Sequence, residues 1–376
     1  MIYFDNAATT SPKPQNVIRS VNFAMGELSA NPGRSGHRLS EKASNMVYSC
    51  RQKLADFFGF DTPEKVVFTK NCTEAINTVI KGLELENCEV VTSSLEHNSV
   101  ARPLFSLKKK GVKTRVAKVY LYEKEKTVNS FKSLINERTR LVICTHASNV
   151  CGCILPIREI GSLCRERGIP FCVDAAQSAG VLDIDMKKDN VDFLCLPGHK
   201  GLYAPMGTGV LLCGGELSAT LTEGGTGNLS HTLLQPDELP ERLESGTLNV
   251  PGIAGISAGI DFVKNQGINK IFSHERGLAV MLYRGLKRNP KIILYGEDPE
   301  KTDTSPVLSF NMSDMRSEEV ASRLSRRGFA LRAGLHCSLF AHQSLGTLKT
   351  GTVRASFSVF NTADEVNLLI KNIKDI

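Results

Sequence analysis

Apolar and polar positions follow two rhythms along this chain, and between residues 38 and 213 the rhythm switches repeatedly. Leu39, Ala43, Met46, Val47, Leu54 and Phe58 recur near helical spacing, which predicts an amphipathic helix over 38–58. Further helices are predicted over 73–85, 100–110 and 157–167. Between them lie short apolar runs at 65–69, 89–93, 114–119, 140–146, 171–174, 192–196 and 209–213, all of strand length. Runs that are apolar throughout, and not at every second position, belong to strands covered on both faces. Alternating with helices, they predict an α/β fold around a mainly parallel sheet. In such sheets, sites gather at the carboxyl ends of strands. Asp174, Lys200 and residues 146–149 all fall at or just after such ends.

After Pro251 the pattern changes. Two long helices are predicted over 253–264 and 271–286, the second a connector. Strands at 291–295, 307–312 and 352–358 follow, with helices at 317–327 and 363–374. That is an α+β unit of about 100 residues, an ordinary domain size. No internal repeat or low-complexity linker interrupts the chain.

With 376 residues, 41% hydrophobic and 23% charged, the chain fits a soluble globular protein of two domains. No apolar stretch approaches the ~20 residues of a membrane helix, and the first residues do not read as a secretory signal. The net charge of +7 is modest. The densest basic run, Lys108-Lys-Lys110, has no interleaved aromatics, so it reads as a solvated helix end and not as a nucleic-acid contact. Neither nucleic acid nor membrane is an expected partner. The 11 cysteines are odd in number and irregular in spacing, and Cys144, Cys172, Cys195 and Cys213 lie inside apolar runs. Free buried thiols in a reducing cytoplasm are expected. Cys151-Gly-Cys153 lacks a second ligand pair at finger spacing, so no metal is expected.

Three segments carry the chemistry. Asp174 closes the apolar run Pro170-Phe-Cys-Val-Asp174, where a carboxylate is costly unless it meets a cation. Lys200 lies in Leu196-Pro-Gly-His-Lys200-Gly, and its flanking glycines predict close approach of the backbone to a bulky ligand. Cys337, in Arg332-Ala-Gly-Leu-His-Cys337, sits beside His336 and near Arg332 and Arg354, surroundings that favour a thiolate. A lysine for imine formation, an acid for a pyridinium and a polarised thiol are what pyridoxal-phosphate sulfur chemistry needs. A phosphate needs backbone donors at a helix start, and Lys70-Asn-Cys-Thr73 offers a strand, a turn and a Thr73 cap. His97 reads either as a capping histidine or as a ring stacked on the cofactor. Arg354 reads either as a carboxylate receptor or as half of a structural salt bridge.

Taken in order, Tyr3-Phe-Asp-Asn-Ala-Ala-Thr-Thr10, Arg34-Ser-Gly-His-Arg-Leu-Ser40, Thr73-Glu-Ala-Ile-Asn77, Glu96-His97, Ser148-Asn149, Val173-Asp-Ala-Ala-Gln177, Gly198-His-Lys200, Gly246-Thr247 and Arg354-Ala-Ser resemble the class V aminotransferase family. The likeness is to its cysteine desulfurase and selenocysteine lyase branch and runs nearly end to end. It implies the pyridoxal-phosphate-dependent transferase fold, with a seven-stranded sheet in a large domain (16–262) and a small α+β domain (1–15 and 263–376). The resemblance implies Lys200 as the Schiff-base lysine, Asp174 at the pyridine nitrogen, Gln177 at the ring hydroxyl and His97 on the ring face. Cys72, Thr73 and His199 would hold the phosphate. Thr247 would reach the cofactor of a second subunit, which implies a homodimer. Asn149 and Arg354, with Arg332 and His37, would bind the substrate, L-cysteine or L-selenocysteine. Cys337 would form a persulfide for a sulfur-acceptor protein, on what looks like a short, ordered loop.

Three positions depart from the family's pattern. Pro197 stands where relatives often offer a hydroxyl to the phosphate, Gly201 is an extra residue after the lysine, and Leu248 replaces a frequent proline. Besides a selenium-directed lyase, an aminotransferase and a sulfur-relay scaffold with a vestigial site remain as rival readings.

Overall fold

The computed structural model describes residues 1–33 and 35–376. In chain order its strands are β1 (Ile2–Tyr3), β2 (Val66–Thr69), β3 (Glu89–Ser93), β4 (Lys113–Ala117), β5 (Thr139–Thr145), β6 (Phe171–Asp174), β7 (Phe193–Pro197), β8 (Gly209–Cys213), β9 (Ile292–Tyr295), β10 (Val307–Met312), β11 (Phe329–Ala330), β12 (Arg332–Gly334) and β13 (Thr352–Ser356). The helices are α1 (Gln15–Glu27), α2 (Arg38–Phe57), α3 (Cys72–Gly82), α4 (Asn98–Ser106), α5 (Lys124–Leu134), α6 (Ile157–Glu166), α7 (Val250–Gln266), α8 (Ile268–Leu286), α9 (Ser317–Arg326), α10 (Leu339–Ser344) and α11 (Ala363–Lys374).

Seven strands form one sheet in the order β2-β8-β7-β6-β5-β3-β4. All run the same way except β8, which is antiparallel to both β2 and β7. Successive side chains in a strand point to opposite faces. Accordingly, Val142, Cys144, Val173 and Leu194 enter a core with α1, α2, α5, α6 and α7. Their neighbours Leu141, Ile143, Cys172 and Phe193 enter a second core with α3 and α4. Burying one such aliphatic or aromatic side chain is worth roughly 1.5–3 kcal/mol. Covering both faces explains why these strands read as unbroken apolar runs.

A second sheet, β12-β13-β10-β9, is antiparallel throughout. It has its own core, which includes Leu282 of α8, Leu324 of α9 and Leu369 of α11. The first residues belong beside it. β1 pairs with β11, Phe4 is fully buried in this core, and Asp5 bridges to Ser356.

The expected helices and strands are present, with shifted ends. Residues 100–110 divide into α4 and a short 3-10 turn, Leu107–Lys110, and α4 starts earlier, at Asn98. α1 and α5 were not expected. Each fully buries only two residues, Val17 and Ala24 in α1 and Thr127 and Phe131 in α5, although Val17, Val21 and Ala24 of α1 do recur at helical spacing. Cys144, Cys172, Cys195 and Cys213 are free and buried in their strands.

Candidate active site

Parallel strands deliver the main groups to one end of the large sheet. β6 ends on Asp174, β5 ends on Thr145 beside it, and β7 ends on Pro197, three residues before Lys200. A cavity there is lined by Cys72, Thr73, His97, Asn149, Asp174, Gln177, Pro197, His199 and Lys200.

Asp174 is 2% exposed. Its Oδ1 accepts the Ala176 N–H at 2.9 Å and the Cys72 thiol at 3.5 Å. Burial lowers the pKa of Lys200. The Asp174 charge opposes that shift, whereas Arg354 and Arg332 add to it. A depressed lysine is more often neutral and so more able to act as nucleophile and base.

The glycines beside Lys200 let the turn press closely against protein. A Cβ at Gly201 would collide with the Ala179 carbonyl, and one at Gly198 with the Thr208 hydroxyl. The extra residue Gly201 is thus accommodated by tight packing. The turn is also held by the N-terminal segment, where Lys13 Nζ donates to the His199 carbonyl at 2.9 Å and Thr10 Oγ1 to that of Lys200 at 3.0 Å.

The start of α3 corrects an expectation. Asn71, not Thr73, is the N-cap, and its Oδ1 accepts the Glu74 N–H at 2.9 Å. Cys72 and Thr73 are then the first two helical residues, whose N–H groups no helix can satisfy internally. An anion is favoured at such a position.

His97 caps α4, and its Nδ1 accepts the Ser99 N–H at 3.0 Å. The capping reading therefore holds, and the residue lines the cavity as well. Burial pushes its pKa down to about 4, against the pull of Asp174. His199 is likewise pushed down to about 4 by burial, and its buried Nδ1 has no partner among the described residues. Both rings are neutral at pH 7. Gln177 Nε2 donates to the Ala7 carbonyl at 3.0 Å.

Arg354 is 1% exposed and ion-pairs with Asp5 at 2.7 Å. Its Nη1 donates to the Asn149 carbonyl at 3.0 Å, and its buried Nε has no partner among the described residues. The salt-bridge reading of this arginine is therefore present in the fold, with one donor to spare. Arg332 lies directly opposite Arg354 across β12 and β13. Two facing cations repel one another, an arrangement that an anionic ligand would relieve.

Cys337 is the exposed cysteine among eleven free ones. Arg332 Nη2 lies 3.7 Å from its sulfur. Its carbonyl accepts the Asn98 N–H at 2.7 Å, which sets the Cys337 backbone beside His97, a residue of the cavity wall. Asn149 holds the residues on either side.

Two expected residues lie elsewhere. His37 is exposed and caps α2, accepting the Ser40 N–H at 3.2 Å. Thr247 is exposed in a second cavity of about 800 Å³ lined also by Lys70, Glu74 and Asn249. Arg34 lies outside the described residues. Sequence reasoning missed Asp5, Asn98 and Ser338. Asp5 carried a signal, since it lies in the Tyr3–Thr10 motif, but an N–H partner such as Asn98 leaves none.

The family model described as Aminotransferase class-V matches residues 2–369. A probable cysteine desulfurase of Methanothermobacter thermautotrophicus is 36% identical, over 100% of this chain and 94% of the relative. One from Pyrococcus abyssi is also 36% identical with the same coverage of each. Among solved structures, the apo cysteine desulfurase of Thermococcus onnurineus NA1 superposes with a TM-score of 0.90 at 32% identity, covering 100% and 94%. The cysteine desulfurase CsdA of Escherichia coli gives 0.86 at 26%, covering 99% and 94%.

The cavity suits the cofactor of such enzymes, with a buried acid for a ring nitrogen, an amine for an aldehyde, free helix-start amides for a phosphate and an orphaned His199 nitrogen. The chain belongs to the class V aminotransferase family, whose cysteine desulfurases work with pyridoxal 5′-phosphate.

Proposed function

We propose that this protein is a cysteine desulfurase, which converts L-cysteine to L-alanine and retains the sulfur as a persulfide on Cys337. The observation that carries the reading is convergence: Lys200 and Asp174 line one cavity with His97, and the backbone carbonyl of the exposed Cys337 accepts the N–H of Asn98, the residue next to His97. When bound, pyridoxal phosphate supplies an aldehyde for amines and a ring that delocalises charge released at the substrate's Cα. Asp174 would keep the ring nitrogen protonated, and Gln177 would face the ring hydroxyl. The Cys72 and Thr73 amides with His199 would hold the phosphate. His97 would cover the ring face.

Arg354 through its spare Nε, with Arg332 and Asn149, would receive the substrate carboxylate. Lys200 Nζ takes the Cα proton, a step that its depressed pKa favours. The Cys337 thiolate then forms an S–S bond with the substrate sulfur. The Cβ–S bond breaks, its electron pair stays on carbon and is protonated at Cβ, and return of the Cα proton from Lys200 completes L-alanine. Arg332 Nη2 lies beside the sulfur.

The same reading includes a homodimer. Support comes from the exposed apolar residues Phe23 and Met25 of α1 with Leu233 and Leu234, and from Thr247, which stands apart from its own chain's cavity. The exposure of Cys337, between Leu335 and Leu339 (both 41% exposed), suits transfer to an acceptor protein. A reducing compartment such as the cytoplasm suits the eleven free thiols, with Cys172 and Cys195 sulfurs 3.9 Å apart and unbonded.

The test is alanine formation from L-cysteine under reductant. Cys337→Ala should keep the cofactor's absorbance yet form no alanine and release no sulfide. Normal turnover by that variant would sink the assignment. Running L-selenocysteine in parallel separates the selenium-directed alternative, which would keep alanine formation without Cys337.

A further inference from the structure

The backbone around Cys337 is unusual. His336 and Cys337 both have positive φ, 47° and 57°, which consecutive non-glycine residues seldom adopt. Such a turn persists only where its surroundings over-determine it. Here three bonds do so. Asn149 Nδ2 donates to the His336 carbonyl at 2.9 Å, Ser338 Oγ donates to Asn149 Oδ1 at 2.7 Å, and the Asn98 N–H donates to the Cys337 carbonyl at 2.7 Å. From below, His336 Nε2 meets Thr352 at 3.0 Å.

Ser338 is fully buried, and Asn149 is 9% exposed. The hydroxyl has one proton and two acceptors in reach, Asn149 Oδ1 at 2.7 Å and the His336 carbonyl at 3.3 Å. The shorter bond wins, so the proton goes to Asn149. That choice fixes which end of the amide faces the loop, because Oδ1 is engaged by Ser338 and Nδ2 is turned to His336.

We propose that Ser338 is a positioning residue for the Cys337 nucleophile. Its hydroxyl locks the Asn149 amide, and the locked amide, itself part of the cavity wall, holds the residues flanking Cys337 in their left-handed turn. Asn149 also ties the loop to Arg354, through its own carbonyl. Removing the hydroxyl strands Oδ1 in a buried place and lets the amide rotate, which loosens the turn.

The kinetic half of this inference rests on the desulfurase reading, and the structural half does not. The experiment therefore compares wild type, Ser338→Ala and Ser338→Thr holoprotein by amide hydrogen exchange and by steady-state alanine formation. In Ser338→Ala, exchange at Asn98 and across 335–339 should rise on the order of tenfold, with distant peptides unchanged. The kcat should fall on the order of tenfold, with a smaller change in KM, because a misplaced nucleophile slows chemistry more than binding. Ser338→Thr, which keeps the hydroxyl, should return both readouts toward wild type. Should threonine not fit the site, Asn149→Asp gives a second exchange test, since it keeps the acceptor for Ser338 but loses the donor to His336. Wild-type exchange and kcat in Ser338→Ala would overturn the inference. If wild type itself makes no alanine, the desulfurase reading fails, and exchange alone decides the clamp.

Discussion

Glu96 is fully buried between β3 and β5, one residue from His97. Its Oε1 accepts from Ser93 Oγ and from the Thr145 N–H, and its Oε2 has no partner among the described residues. Burial pushes its carboxyl up to about 8, and the hydrogen bonds only partly offset that. In the unfolded chain the same group titrates near 4.5. Between those values the native state holds a proton that the unfolded chain has lost. Stability contributed by this group is therefore present below about 4.5 and lost as pH rises toward 8. The slope is about 1.4 kcal/mol per pH unit, on the order of 5 kcal/mol over the window.

Glu96→Gln keeps an oxygen for Ser93 and Thr145 but cannot ionise. Its buried amide protons cost about 1–3 kcal/mol at every pH. The variant should thus be the less stable protein near pH 5 and the more stable one near pH 8, with the curves crossing between. Urea unfolding at intervals across that range, followed by circular dichroism, gives the midpoints. Glu275, also raised to about 8 by burial, tilts both curves equally and cancels in the difference. A stability difference independent of pH would refute the reasoning, since Glu96 would then be ionised in the fold.

Two further outcomes are expected. Asp5→Asn removes the anionic partner of a guanidinium that is 1% exposed; the Asp5 side chain is 22% exposed, so the loss should lie near the low end for buried pairs, about 2–3 kcal/mol by urea midpoint, with a raised KM for cysteine. Brief iodoacetamide treatment without denaturant should add one group, on Cys337, because the other ten cysteines are buried. Peptide mapping that found early modification of Cys72 or a strand cysteine would contradict this.

How much was legible varied with the distance over which each feature is encoded. Asp174 and Lys200 could be located because each ends or follows an apolar strand, and strand ends converge in a parallel sheet. The cap of α3 was misread because Asn71 and Thr73 are both good capping residues, and only backbone geometry separates them. That the glycines at 198 and 201 mark close approach was legible, but the protein neighbours they meet, Thr208 and Ala179, come from other parts of the chain. His37 had motif context and no local chemistry, and it lies outside the Lys200 cavity.

By itself, the order of apolar runs and periodic segments determined an α/β chain with seven short strands, of which the edge strand β4 proves largely exposed, a following α+β unit, and one loop cysteine beside arginines. Tertiary structure alone decided that β8 runs against its neighbours, that Asp5 crosses 349 positions to reach Arg354, and that Ser338 and Asn149 grip the turn at Cys337. The reason is physical: periodicity records which face of an element is buried, a property of neighbouring residues. Hydrogen bonds between distant side chains depend on where the packed elements finally bring them, and no local pattern carries that.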